Sequence, residues 1–309
     1  MKANELRFAA WDERVQVNTK TRTEQGKSLV IGGTGLVGGY IVEHLMRGGE
    51  RPLVLSRSQR EGTGVDWCRG DLAQPDAPKL PPFATLYCTA DAVLLADALP
   101  LLFNPLLKRV VVFSSTSVVT KLDSEVAVER ELLRALAVAE QKIVAACEQN
   151  NVGWTILRPT LIYAEGRDIN LTPLSRLIRR FGFMPLVGRA PGLRQPVHAE
   201  DLAIGAASSP AAVNRFYSLP GGETISYREM IGRIFDGLRM RRRTLSVPPL
   251  LWRAAFGLAR PLFPRANVAM GTRMMKTMAF DATPAIRDFG WNPRKFNPVF
   301  NDQSETFNP

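Results

Sequence analysis

Residues 28–49 read SLVIGGTGLVGGYIVEHLMRGG, and the reading of this stretch decides the fold. Ser28 to Ile31 is a short apolar run rich in β-branched residues, as expected of a strand buried on both faces. Gly32, Gly35 and Gly38 follow as G-x-x-G-x-x-G. Leu36, Val37, Tyr40, Ile41 and Leu45 then recur near one face of a helix, which Gly48-Gly49 ends. In such a strand–turn–helix unit the first glycine permits the tight turn, and the second lets backbone approach a pyrophosphate. The third lets the helix pack on the sheet with its N-terminal N–H groups facing the anion. The context predicts a dinucleotide cradle formed by Gly32, Thr34, Gly35, Leu36, Val37 and Gly38.

Working outward, further apolar strands are predicted at Pro52 to Leu55, Thr85 to Cys88, Arg109 to Phe113 and Trp154 to Leu157, with helical stretches among them. The alternation predicts an α/β fold, a doubly wound Rossmann-type parallel sheet. After about Gly166 the periodicity weakens and the chain turns proline- and arginine-rich, which reads as a smaller C-terminal substrate lobe. The expected organisation is a polar extension over residues 1–27 and a dinucleotide-binding domain over 28–165, its sheet completed by about 195–220. The lobe takes 166–194 and 221–309.

Composition bounds the class. No apolar run in the 309 residues reaches the roughly eighteen that a membrane-spanning helix needs, and the polar N-terminal stretch lacks a secretory h-region. Cys68, Cys88 and Cys147 are too widely spaced for a disulfide framework or a zinc site, and only His44 and His198 could add ligands. No metal is expected, and a reducing cytoplasm fits. The net charge is +11, and between Gly237 and Phe280 eight arginines and a lysine stand without one acid. This is either a solvated basic face or a contact for something anionic: a phosphorylated substrate, an acidic lipid surface, a protein or nucleic acid. Nucleic acid ranks last, because aromatic residues are poorly interleaved and no nucleic-acid motif is present. The segment VPPLLWRAAFGLARPLF, from Val247, is either a packed helix or a stretch lying on a membrane.

The choice of dinucleotide rests on the end of the second strand. An acid there would bond the adenosine ribose, whereas an arginine suits a 2′-phosphate. The sequence has Ser56-Arg57-Ser58 with Arg60 nearby and no acid before Glu61. The planar guanidinium fork matches phosphate oxygens, so NADP(H) is favoured over NAD(H).

With these residues in place, the chain resembles the extended short-chain dehydrogenase/reductases, the NAD-dependent epimerase/dehydratase family. The likeness runs from about Ser28 to Pro298. Arg69-Gly70-Asp71-Leu72 resembles the family's acidic turn beside the adenine, which implies Asp71 and Leu72 as contacts. Cys88-Thr89-Ala90 and Ser114 stand where its fourth and fifth strands pass the cofactor, and Pro159 where a later segment lines the nicotinamide. Thr116 stands at the position of the catalytic hydroxyl, with Ser117 beside it. Gln195 to His198 with Asp201 to Ala203, and Phe280-Asp281 to Gly290-Trp291-Asn292-Pro293, resemble later junctions, so His198 is expected to be a hydrogen-bonded core residue.

One departure bears on activity. The family's proton transfer uses a tyrosine with a lysine four residues on, because a phenol near pKa 10 is a poor base until a cation favours its anion. Tyr40, Tyr87, Tyr163, Tyr217 and Tyr227 are followed at that spacing by no lysine. Aligning Glu140 with the family's acid puts Leu132 and Leu136 at the dyad positions. Two functions stay open: an NADP(H)-dependent oxidoreductase or epimerase acting on a nucleotide sugar or similar phosphorylated substrate, and a non-catalytic NADP(H)-binding redox sensor or assembly subunit, membrane-peripheral in one variant. The alanine- and leucine-rich helix expected from about Ser124 to Asn150 would suit a homodimer.

Overall fold

The structure, a computed structural model, describes residues 26–74, 79–120, 126–209, 214–252 and 269–300. In chain order the elements are β1 (Ser28–Ile31), α1 (Leu36–Arg47), β2 (Leu53–Ser56), β3 (Asp66–Arg69), β4 (Thr85–Cys88), α2 (Ala92–Ala98), β5 (Arg109–Phe113), α3 (Ser117–Thr120), α4 (Ala127–Gln149) and β6 (Gly153–Pro159). There follow β7 (Ile162–Tyr163), α5 (Thr172–Phe181), β8 (Met184–Val187), β9 (Leu193–Arg194), β10 (Val197–His198), α6 (Ala199–Ser208), β11 (Arg215–Leu219), β12 (Ile225–Ser226), α7 (Tyr227–Gly237), β13 (Thr244–Val247), α8 (Ala269–Met275) and α9 (Thr283–Phe289).

The seven-stranded sheet has the order β11-β6-β5-β4-β1-β2-β3, and β1 to β6 pair in parallel. All residues of β1, β2 and β5 are buried, which is why these strands are continuous apolar runs rather than alternating ones. The order reverses between β1 and β4, the switch point at whose carboxyl end ligands of such sheets bind. Strand β3 was not anticipated from the sequence. It lies at the sheet edge, is half exposed and carries Asp66 and Arg69, so the apolar run that marks a buried strand is missing. Asp66 binds Lys27 at 2.6 Å and Arg51 at 2.5 Å, and these cations hold its carboxyl below the usual range.

The chain forms two compact units. Among the described residues the first lies within 26–158, 202–217 and 287–290, and the second within 159–201, 218–286 and 291–300. The first has its core at the sheet, where Leu29, Leu86, Val110 and Ile156 meet Leu95, Ala139 and Ile143 of the covering helices. Cys147 is sealed there, its thiol pushed up to about 12 by burial. The core of the second unit gathers Tyr163, Ile178, Leu186, Met230, Ile234 and Phe296 around α5, α7 and the two-stranded ladder of β8 with β13. The described part of the Val247 segment is only residues 247–252; the remainder lies outside the described residues.

Candidate dinucleotide site

Gly32 follows the last residue of β1 with φ +83°, a conformation that a side chain rarely adopts. A Cβ there would also stand 2.6 Å from Thr89 Oγ1 and 2.8 Å from the Ala90 nitrogen. Gly38, one turn into α1, is closer still to its neighbour: a Cβ would lie 2.1 Å from the Gly32 carbonyl oxygen. These two glycines press the first turn of the helix onto the end of β1. Gly33, not singled out in the sequence reading, packs its α-carbon under Val54, where a Cβ would meet Cγ1 at 2.6 Å.

The turn is tied from the other side of the switch point. Thr89, just beyond β4, donates its hydroxyl toward the carbonyls of Ile31 (3.3 Å) and Gly32 (3.2 Å), and its N–H bonds Ile31 oxygen at 2.9 Å. Thr89 therefore shapes the cradle through its own side chain, a role that only the pairing of β1 with β4 reveals. Cys88 is fully buried, and burial pushes its thiol up to about 12, so it is inert at neutral pH.

At the start of α1 no side chain of the described residues caps the helix, and its first turn contains no acid. The early N–H groups of a helix have no intrahelical partners and carry the positive end of its dipole. Thr34 and Gly35 are exposed in front of them. Ser114, at the end of β5, donates its backbone N–H to Leu157 oxygen at 2.8 Å, yet its buried Oγ has no hydrogen-bond partner among the described residues. An uncapped helix start, backbone brought close by two glycines and an orphaned hydroxyl on the same sheet edge fit a dinucleotide.

Ser56 closes β2, and its carbonyl accepts from Gly70 N–H at 3.0 Å. Arg57 is exposed and makes no ion pair with the described residues, while Arg60 lies over the Trp67 ring at 5.7 Å. Asp71 follows β3 and accepts from Ala73 N–H at 3.1 Å through one carboxylate oxygen; Leu72 packs against the sheet core. Thr116 is buried, and its carbonyl accepts from Val119 N–H and the Thr120 hydroxyl. Ser117 opens α3, with its N–H on Ser115 Oγ at 3.1 Å. Pro159 ends β6 and is counted with the second unit.

On α4, Leu132 is 66% exposed and Leu136 is half-buried against the core. In the second unit, Tyr163 is sealed between His198 and Phe296, edge-on to both at about 5 Å, and burial raises its phenol. His198 accepts from Glu200 N–H on Nδ1 at 3.2 Å and faces Glu165 through Nε2 at 3.4 Å. Among the described residues no group of His, Cys, Asp or Glu could hold a metal ion.

No family model matches the chain. It is 25% identical over 251 residues to NADH dehydrogenase (ubiquinone) 1 alpha subcomplex subunit 9, mitochondrial, of Arabidopsis thaliana, covering 71% of this chain and 60% of that protein. It is 24% identical over 158 residues to UDP-glucose 4-epimerase of Vibrio cholerae, covering 50% and 46%. The chain thus spans less than two thirds of each of these curated relatives. Among solved structures, MoeE5 in complex with UDP-glucuronic acid and NAD superposes with a TM-score of 0.64 at 19% identity, over 88% of this chain and 95% of that one. UDP-N-acetylglucosamine 4-epimerase from Bacillus cereus gives 0.65 at 15% identity, over 87% and 94%. These likenesses establish the fold.

Proposed function

We propose that this chain is a divergent extended short-chain dehydrogenase/reductase that holds NADP(H) without turning it over, as a redox-sensing or assembly subunit. One observation carries this reading: the cradle of Gly32, Gly38 and Thr89 is intact, while aligning Glu140 with the acid of the family it resembles puts Leu132 and Leu136 at the dyad positions. A leucine neither donates nor accepts a proton, so on that alignment the residues for binding stand without those for proton transfer. The Arabidopsis relative, named as a subunit of a larger dehydrogenase, is in keeping with this role.

The preference for NADP(H) rests on Arg57, exposed just beyond β2. A helix N-terminus contributes about 0.3–1 kcal/mol to an exposed anion and acts on both dinucleotides alike. A charge-assisted hydrogen bond from Arg57 to a 2′-phosphate would contribute about 1.5–3 kcal/mol and act on one alone. The test is a fluorescence titration of the full chain with NADPH and NADH, followed by nucleotide sugars added to the complex. Tight, slowly exchanging NADPH with no change of signal is expected; oxidation of the bound NADPH by a sugar would overturn the non-catalytic reading.

A second reading is favoured by the sugar-nucleotide complexes and epimerases among the neighbours. In it the nicotinamide supplies hydride chemistry, and Thr116 with Ser117 polarises the reacting group of a nucleotide sugar. Steady-state turnover lost on Thr116→Ala is its mark.

A further inference from the structure

The three consecutive arginines 241–243 do not share one fate. Arg242, though exposed like its neighbours, is clamped by Asp236 and Glu229, with Nε on Asp236 at 2.9 Å and a terminal N–H on Glu229 at 2.9 Å. The Asp236 and Glu229 bonds hold its guanidinium pKa above the usual arginine range. It lies against Gly232 of α7, where a Cβ would be 2.6 Å from the guanidinium. Arg241 and Arg243 are exposed and make no ion pair among the described residues. The paired and unpaired guanidinium groups alternate with the period of two expected of an extended chain entering β13.

The same parity continues along the ladder. Met184 N–H bonds the Arg243 carbonyl at 2.9 Å, and Leu245 pairs with Pro185 in parallel register. Met184 and Leu186 point into the core, so Phe183, Pro185, Arg243 and Leu245 stand on the outward face. Phe183 is 43% and Leu245 56% exposed. At the adjoining end of α5, Gly182 adopts φ +73° and turns the chain into β8. There Phe181 is 54% exposed, with the Arg180 guanidinium over its ring at 5.4 Å.

We propose that this face docks on an anionic lipid bilayer: Phe181, Phe183 and Leu245 enter the headgroup boundary, and Arg180, Arg241 and Arg243 meet lipid phosphates. Contacts between proteins draw charge out of the centre of the patch and leave it at the rim. Here guanidinium and phenyl groups are interleaved, as on a surface whose apolar groups dip into a bilayer while its cations stay with the headgroups. None of the helices among the described residues is long and apolar enough to cross a membrane, so the contact is peripheral. The face lies within the second unit and does not depend on a bound dinucleotide.

The test is co-sedimentation of the full chain with vesicles of phosphatidylcholine alone and of phosphatidylcholine with phosphatidylglycerol in equal parts, with soluble polyglutamate as a non-lipid polyanion. Binding to the anionic vesicles alone is expected, lost on raising the ionic strength to about 0.5 M. R180Q and R243Q should each weaken it about five-fold. F181S with F183S should weaken vesicle binding about ten-fold for each phenylalanine while leaving polyglutamate binding unchanged. All four side chains are exposed, so circular dichroism and NADPH titration of the variants should match the parent. Binding to neither vesicle overturns the proposal. So does vesicle binding that survives the loss of both phenylalanines, which would show that no phenyl group enters the headgroup boundary.

Discussion

Arg158 grips the carboxylate of Glu140 with both prongs of its guanidinium, Nε on Oε1 at 2.9 Å and a terminal N–H on Oε2. The glutamate side chain is 1% exposed, and the arginine also lies over the Phe216 ring at 4.4 Å. The pair anchors α4 to β6 and so sets the helix rotation at Leu136 and Leu132, one and two turns earlier. Arg158→Met leaves a buried, unpaired carboxylate and should cost about 3–5 kcal/mol in urea unfolding. Adding Glu140→Leu removes that charge and should recover most of the loss. A single variant as stable as the parent would show that the pair does not hold the helix.

Gly38→Ala drives a methyl group into the Gly32 carbonyl, 2.1 Å away, whereas at Gly39 the nearest atom is 3.7 Å distant. Gly38→Ala should lower the melting temperature and abolish NADPH binding. Gly39→Ala should keep affinity within a factor of about two and stability within about 1 kcal/mol, as helix propensity favours alanine. Equal titration curves for the two variants would place the dinucleotide elsewhere.

Arg57→Ala removes the exposed guanidinium beyond β2. NADPH should bind about 10- to 100-fold more weakly, with NADH affinity unchanged. Parallel fluorescence titrations measure this; a loss shared equally by both nucleotides would mean that Arg57 does not read the 2′-phosphate.

Asp288 joins Arg287, Tyr217 and Arg215 on the first unit. Arg287 and the Tyr217 hydroxyl lower its carboxyl from 3.8 to about 2, while burial and Asp288 push the Tyr217 phenol up to about 12. A carboxyl depressed on folding contributes stability that is present above pH 3.8 and lost as pH falls through about 2. Asp288→Asn should therefore melt below the parent at pH 7, and the gap should shrink between pH 4 and pH 2. A gap constant across that window would mean that the charge of Asp288 contributes nothing.

The stretch 28–49 by itself determined the strand–turn–helix unit, since glycine spacing and apolar periodicity act over a few residues. The alternation of buried strands and helices determined the sheet class in the same way. Tertiary structure alone decided β3, whose polar residues become a strand through pairing with β2 at the sheet edge. It alone gave Thr89 its hold on the glycine turn, because β1 and β4 meet across more than fifty intervening residues. In the run 241–243 the sequence shows three equal charges, and the fold decides which of them is matched by an acid. Glu229 and Asp236 come from the preceding helix, so one arginine is paired with carboxylates while its two neighbours make no ion pair among the described residues. A side chain's type is local, but whether its charge is matched depends on what the fold brings beside it.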